Sequence, residues 1–274
     1  MFEFEFMRNA FIAAALVAMM AGPVGYFLVL RGQTFAGHAL AHVGFTGATG
    51  ALLIGLSPLT GLILLTVAAG IGMGLFGERL NNRDVAIGLV LAASLGFGLL
   101  FLHFFTSFAT QATALLFGNI LAISAGTLRV LMALAFVCLA LLCLISRPLL
   151  FSSLQPELAE AKGVNIKLIS TLFMVIVALA TAASSQIVGV LLIFALMVGP
   201  AATAQRLASS VHAGVALSVV FALGEAWGGL LLAYVTDWPT SFWITTLSTL
   251  AFIIVEVTRG KWRGLSTIVK LRQS

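Results

Sequence analysis

The sequence predicts an all-α fold, a polytopic transmembrane bundle of eight or nine helices. Three observations carry that reading. Of the 274 residues, 61% are hydrophobic and only 8% are charged, where soluble proteins carry about a quarter charged residues. Mean hydropathy is +1.15, and the apolar residues come in repeated runs long enough to cross a hydrocarbon core of roughly 30 Å. The 27 glycines, mixed with alanine and serine, suit helices that approach closely in lipid.

Nine apolar runs stand between polar breaks, at 8–30, 36–56, 60–77, 85–105, 127–146, 167–183, 187–205, 212–234 and 240–258. The first run is too long for a cleavable signal peptide and reads as part of the bundle. The segment 107–126 is less apolar and is expected to form a short interfacial or re-entrant helix. If one weaker run merely dips into the membrane, the count becomes eight. Residues 1–258 thus read as one transmembrane domain and 259–274 as a basic cytoplasmic tail.

The net charge of +5 sets topology and does not point to nucleic acid. With the C-terminus inside and nine spans, all lysines and arginines except Arg8 and Arg129 fall on the cytoplasmic side, as the positive-inside rule requires. Trp238 and Trp243 read as interfacial anchors. Cys138 and Cys143 lie five apart in an apolar run, off metal-ligand spacings, and read as packing residues.

The longest cytoplasmic break begins where Arg147-Pro148 is expected to end a span. After it come Pro156, Glu157, Leu158, Ala159, Glu160, Ala161, Lys162 and Gly163. Pro156 suits a helix start, Glu157 and Glu160 its positive end, and Gly163 its stop. A short amphipathic helix between two spans reads as a docking element for a cytoplasmic partner, with a plain connecting loop as the alternative.

The chemistry concentrates at His38 and His42. Two imidazoles at i and i+4 share a helix face and can hold one metal together. An unpartnered polar group is costly in lipid. A single histidine there would be read as hydrogen-bonded to a neighbouring helix; two on one face point to the path of a transition-metal ion. The spacing is that of a zinc protease, but Ala39 stands where that chemistry needs a glutamate base. No Gly-x-Ser-x-Gly elbow supports a serine hydrolase. No Gly-x-x-x-x-Gly-Lys-Ser/Thr loop is present, so energy from ATP has to come through another subunit. Glu225 is the one acid well inside a span. It either completes a metal shell or hydrogen-bonds to a neighbouring helix in its protonated form. His103 and His212 read as span-terminus residues, with His103 also a candidate for metal entry.

Several segments resemble the zinc and manganese uptake permeases of bacterial ABC transporters, over about Ala21 to Phe252. Ala21-Gly22-Pro23-Val24-Gly25 resembles the family's first-span break. Arg31 through His42 is similar to its Arg…Phe-x-Gly-Asp-x-Leu-Ser/Ala-His stretch. Leu116-Phe117-Gly118-Asn119-Ile120-Leu121 resembles its Leu-Phe-Gly-Asp/Asn signature, and Pro156 to Val164 its cytoplasmic coupling element. Val188 to Leu192 and Val198 to Ala204 are similar to its late span.

The resemblance implies a type II ABC importer-like permease that forms a homodimer in the membrane. It also implies a cytoplasmic ATPase subunit, contacted through Pro156, Glu157, Ala159, Glu160 and Gly163, and an extracytoplasmic metal-binding protein. No tightly bound cofactor is implied, only the transported ion. His42 matches the family's metal-contacting histidine, while His38 stands where its aspartate is usual. Imidazole in place of a hard carboxylate favours zinc over manganese. Iron, a metal chelate, a proton-driven carrier and an intramembrane hydrolase are the alternatives.

Overall fold

The computed structural model describes residues 4–76, 83–104, 116–118, 120–190 and 193–271. The helices in chain order are α1 (Glu5–Leu30), α2 (Thr34–Leu53), α3 (Pro58–Phe76), α4 (Arg83–His103), α5 (Ala125–Leu154), α6 (Pro156–Ala161), α7 (Ile166–Val188), α8 (Ile193–Leu207), α9 (Val211–Thr236) and α10 (Thr240–Leu271). A 3₁₀ turn at Ile120–Ala122 precedes α5. The described residues contain no strand. Each of the nine expected runs corresponds to a helix. Seven of these are long and apolar enough to cross a membrane by themselves. The other two are α2, diluted by His, Gly and Thr, and the 15-residue α8. At 1.5 Å per residue, α8 reaches only about 22 Å.

Helix α1 runs through the middle of the bundle, packed against α5, α7, α8 and α9. Helices α2, α3, α4 and α7 form one group beside it, and α8, α9 and α10 another. Small residues set these approaches. A Cβ on Gly61 of α3 would strike the Gly47 carbonyl and the Ala51 side chain of α2, so both positions require the hydrogen atom that glycine supplies.

Among the boundaries that differ from expectation, two do so for a local reason. The span expected to end at Arg147-Pro148 continues to Leu154, with Pro148 inside the helix. Pro148 withholds one donor, leaving the Leu144 carbonyl without its helical partner, and a membrane helix can continue through such a single loss. The Ser184-Ser185-Gln186 break expected near 184–186 is instead helical. Ser184 and Ser185 donate back to the Ala180 and Ala182 carbonyls and so remain in α7. The chain turns at Gly189 instead, where φ is +77°. A side chain there would also collide with the backbone of Leu116, Phe117 and Gly118. Two sequence-distant segments, 116–118 and 188–190, therefore pack directly on each other. Half of the expected helix at 107–126 lies outside the described residues; residues 116–118, the 3₁₀ turn and the start of α5 are its described part.

At the C-terminal end, Asp237 caps α9 with φ +57° and its N–H donates to the Ala233 carbonyl. Trp238 stacks on Trp243 at 5.6 Å, and Trp243 Nε1 donates to Thr236 Oγ1. The expected interfacial anchors thus close one turn together. Helix α10 then runs without a break past residue 259 to Leu271.

Candidate metal path

Helix α2 begins just after Gly32, where φ is +62°, and Gln33. Its Gly37 lets α2 lie close to Leu28 of α1. His38 follows, partly exposed, and His42 is buried one turn later. Their ring centres are 4.9 Å apart, and the planes meet at 84°. An imidazole nitrogen lies about 1.1 Å from its ring centre, and zinc–nitrogen bonds are about 2.0–2.1 Å. Two rings sharing an ion at a tetrahedral angle therefore have centres about 5.2 Å apart; a right angle and a slightly longer bond give about 4.7 Å. The observed spacing falls between these values. That spacing is compatible with one shared ion and does not by itself choose the metal.

Nδ1 of both histidines is buried and makes no hydrogen bond among the described residues. Leaving such an atom unpaired costs about 1–3 kcal/mol. These are two orphaned nitrogens on rings whose centres are 4.9 Å apart, and a metal ion is one partner that would satisfy them. The edge of His38 also meets the ring of Phe194 in α8, centre to centre 5.6 Å at 79°. The pair thus lies at the seam between the α2 group and α8.

The same face continues to a residue that the sequence reading did not single out. Thr46, at i+8 from His38, is buried. Its hydroxyl lies against the Ser94 carbonyl of α4 and at 3.3 Å from the carbonyl of His42. Thr46 therefore helps fix the turn that carries His42. The recurrence of polar residues at i, i+4 and i+8 was the signal that marks it.

Glu225 is buried in α9, and neither carboxyl oxygen has a hydrogen-bond partner of good geometry among the described residues. Its neighbour is Ser248 of α10, whose hydroxyl donates to the Ala195 carbonyl of α8 at 3.2 Å. Phe194 meets His38 while the carbonyl of the next residue, Ala195, receives Ser248, so α8 touches both sites. Among the described residues, no group of three or more His, Cys, Asp and Glu side chains is gathered for a metal. The structure brings His38 and His42 together and leaves Glu225 apart from them. His103 ends α4 and His212 lies in the first turn of α9, both exposed.

The expected docking element is a discrete helix. Pro156 occupies its first turn, and Gly163 follows it with φ +82°. Val164 N–H closes back on the Ala159 carbonyl and Gly163 N–H on Glu160, a paired bond set that satisfies the helix end. Ala159 is wholly buried, whereas Pro156, Glu157, Leu158 and Glu160 are exposed. An acidic ridge with one leucine therefore faces outward from a helix anchored by a single alanine. Of the two cysteines, Cys138 is buried and Cys143 faces outward.

The manganese transport system membrane protein MntC of Listeria monocytogenes is 29% identical over 253 residues, spanning 92% of this chain and 90% of that protein. The high-affinity zinc uptake system membrane protein ZnuB of Haemophilus influenzae is 26% identical over 252 residues, spanning 92% and 97%. Among solved structures, PsaBC from Streptococcus pneumoniae in complex with Fab superimposes with a TM-score of 0.83 at 30% identity, over 92% of this chain and 91% of that one. The model of the ABC 3 transport family matches residues 3–259. With that match over nearly its whole length, the chain belongs to the ABC 3 transport family and is a multi-pass membrane permease.

Proposed function

We propose that this permease imports a divalent transition-metal ion, zinc in preference to manganese, and that the ion passes between His38 and His42. The observation that carries the reading is the pair of adjacent imidazole rings, each with a buried, unpartnered nitrogen. Neutral imidazole is a borderline donor that suits zinc. Two protein donors with water completing the shell bind an ion without trapping it, as transport requires. Glu225 belongs to the packing of α8, α9 and α10 and is not a third ligand in this reading. The ion is cargo, and no resident cofactor is needed.

The driving force comes from a separate ATPase subunit seated on the exposed ridge of α6. Glu157 and Glu160 supply its charge, and Ala159 and Gly163 hold the helix in place. An extracytoplasmic metal-binding protein delivers the ion, and two copies of the chain form the pathway. These partners are expected from the family to which the chain belongs.

A second reading keeps the same transporter and makes manganese the cargo. It is supported by the names of relatives such as MntC and the manganese import system permease protein ScaB of Streptococcus parasanguinis, 31% identical over 253 residues. Competition between zinc, manganese and iron for uptake by the reconstituted complex separates the two. Zinc as the strongest competitor supports the first reading, and manganese as the strongest supports the second.

A further inference from the structure

Arg31 joins parts of the chain that the proposed mechanism keeps apart. It follows the last residue of α1 and precedes the Gly32 turn into α2. Its Nη1 donates to Ser153 Oγ at 3.0 Å and Ser152 Oγ at 3.4 Å, both in the last turn of α5. Its Nη2 donates to Ser170 Oγ at 3.1 Å, near the start of α7. Its Nε donates to Gln33 Oε1 at 3.3 Å, immediately before α2. The guanidinium also lies over the Phe173 ring, 5.8 Å from its centre. Gln33, Ser152 and Ser170 are buried.

The topology gives this fan of bonds its meaning. Helix α6 is strung between α5 and α7, so Ser152, Ser153 and Ser170 flank the docking element on both sides. Gln33 leads into the helix that carries His38 and His42. Helix α2 packs chiefly on α3 and α4 and only lightly on α1, and no side chain caps its first turn. The α1–α2 turn is closed by its own backbone, Gln33 N–H on the Leu28 carbonyl and Gly32 N–H on the Val29 carbonyl, and Arg31 ties this closed turn to α5 and α7. A guanidinium presents its donors in a rigid planar fork, so one side chain holds the spacing of three helices at once. A lysine offers donors from one point and cannot reproduce the span.

We infer that Arg31 is the positioning residue that transmits movement of the α6 docking element to the histidine-bearing helix α2. The inference rests on the reading of α6 as the ATPase seat. When α6 moves, the ends of α5 and α7 move as a unit because Arg31 bridges them. The displacement reaches α2 through Gln33.

The test uses the complete complex in proteoliposomes, with its ATPase and binding protein, and reads zinc uptake and ATP hydrolysis separately. Arg31→Gln, Arg31→Lys and the triple variant Ser152→Ala/Ser153→Ala/Ser170→Ala are compared with the unaltered chain. The expected result is copurification of the ATPase and hydrolysis within about twofold of the unaltered complex, with zinc moved per ATP down at least tenfold in Arg31→Gln. Arg31→Lys does not restore the ratio, and the serine variant falls between. An unchanged ratio in Arg31→Gln overturns the inference. If Arg31→Gln does not assemble, the serine variant decides: a lowered ratio supports the inference and an unchanged one overturns it. The unaltered complex tests the underlying reading. Uptake without ATPase in that control removes the docking reading and this inference with it.

Discussion

The ring centres of His38 and His42 lie 4.9 Å apart on one face of α2, each with a buried Nδ1 that has no partner among the described residues. Helix geometry alone puts the two side chains on that face. What the tertiary structure adds is the seam against Phe194, which makes the pair a boundary between two groups of helices.

If His38 sets the preference for zinc, its replacement by a carboxylate shifts that preference. His38→Asp is expected to raise manganese uptake relative to zinc by at least tenfold, because a hard oxygen donor replaces a borderline nitrogen. Paired uptake assays at equal metal concentrations check this. An unchanged ratio would place selectivity elsewhere in the pathway.

The two imidazoles also set a pH dependence. Each must be unprotonated to bind metal, so protons and metal compete. Acidification through the range where the imidazoles titrate therefore lowers zinc loading. The limiting loss is about a hundredfold per pH unit for two histidines and about tenfold for His38→Asp, which keeps only one imidazole. Zinc affinity measured against pH for both chains gives the two slopes; equal slopes would show that the histidines do not bind together.

Gly47 and Gly61 give a test of the scaffold apart from transport. Gly61→Leu drives a side chain into the Gly47 carbonyl and Ala51, forcing α2 away from α3. Overpacking of this kind costs about 1–3 kcal/mol. The purified protein is expected to unfold at a lower temperature in a thermal-shift assay, and an unaltered Tm would mean that the two helices are not in close contact.

Charge reversal on α6 tests the proposed docking surface. Glu157→Lys/Glu160→Lys leaves the buried Ala159 and the Gly163 stop intact, so the helix is expected to persist. Copurification of the ATPase subunit is expected to fall at least tenfold while membrane insertion is retained. Full recovery of the ATPase would assign the contact to another surface.

Much of this was legible from local pattern. The Pro156 start and Gly163 stop defined α6 because each acts through its own backbone, without help from distant residues. The i, i+4 histidines needed only helical periodicity. The misplaced boundaries involve residues whose behaviour depends on their bonding. Ser184 and Ser185 read as a break, yet their hydroxyls close on their own helix. Pro148 read as a stop, yet α5 carries it to Leu154. Glu225 could not be placed from sequence because its setting comes from α8 and α10, remote in the chain. Arg31 read as a topological charge, and its bonds to Gln33 and to Ser152, Ser153 and Ser170 of α5 and α7 became visible only in the fold.

The most direct measurement of the central claim is zinc uptake by the His38→Ala/His42→Ala variant, reconstituted with its ATPase and binding protein. Removing both imidazoles is expected to lower uptake at least a hundredfold while the complex assembles and still hydrolyses ATP. Undiminished zinc uptake by that assembled complex would contradict the assignment of the metal path to this pair.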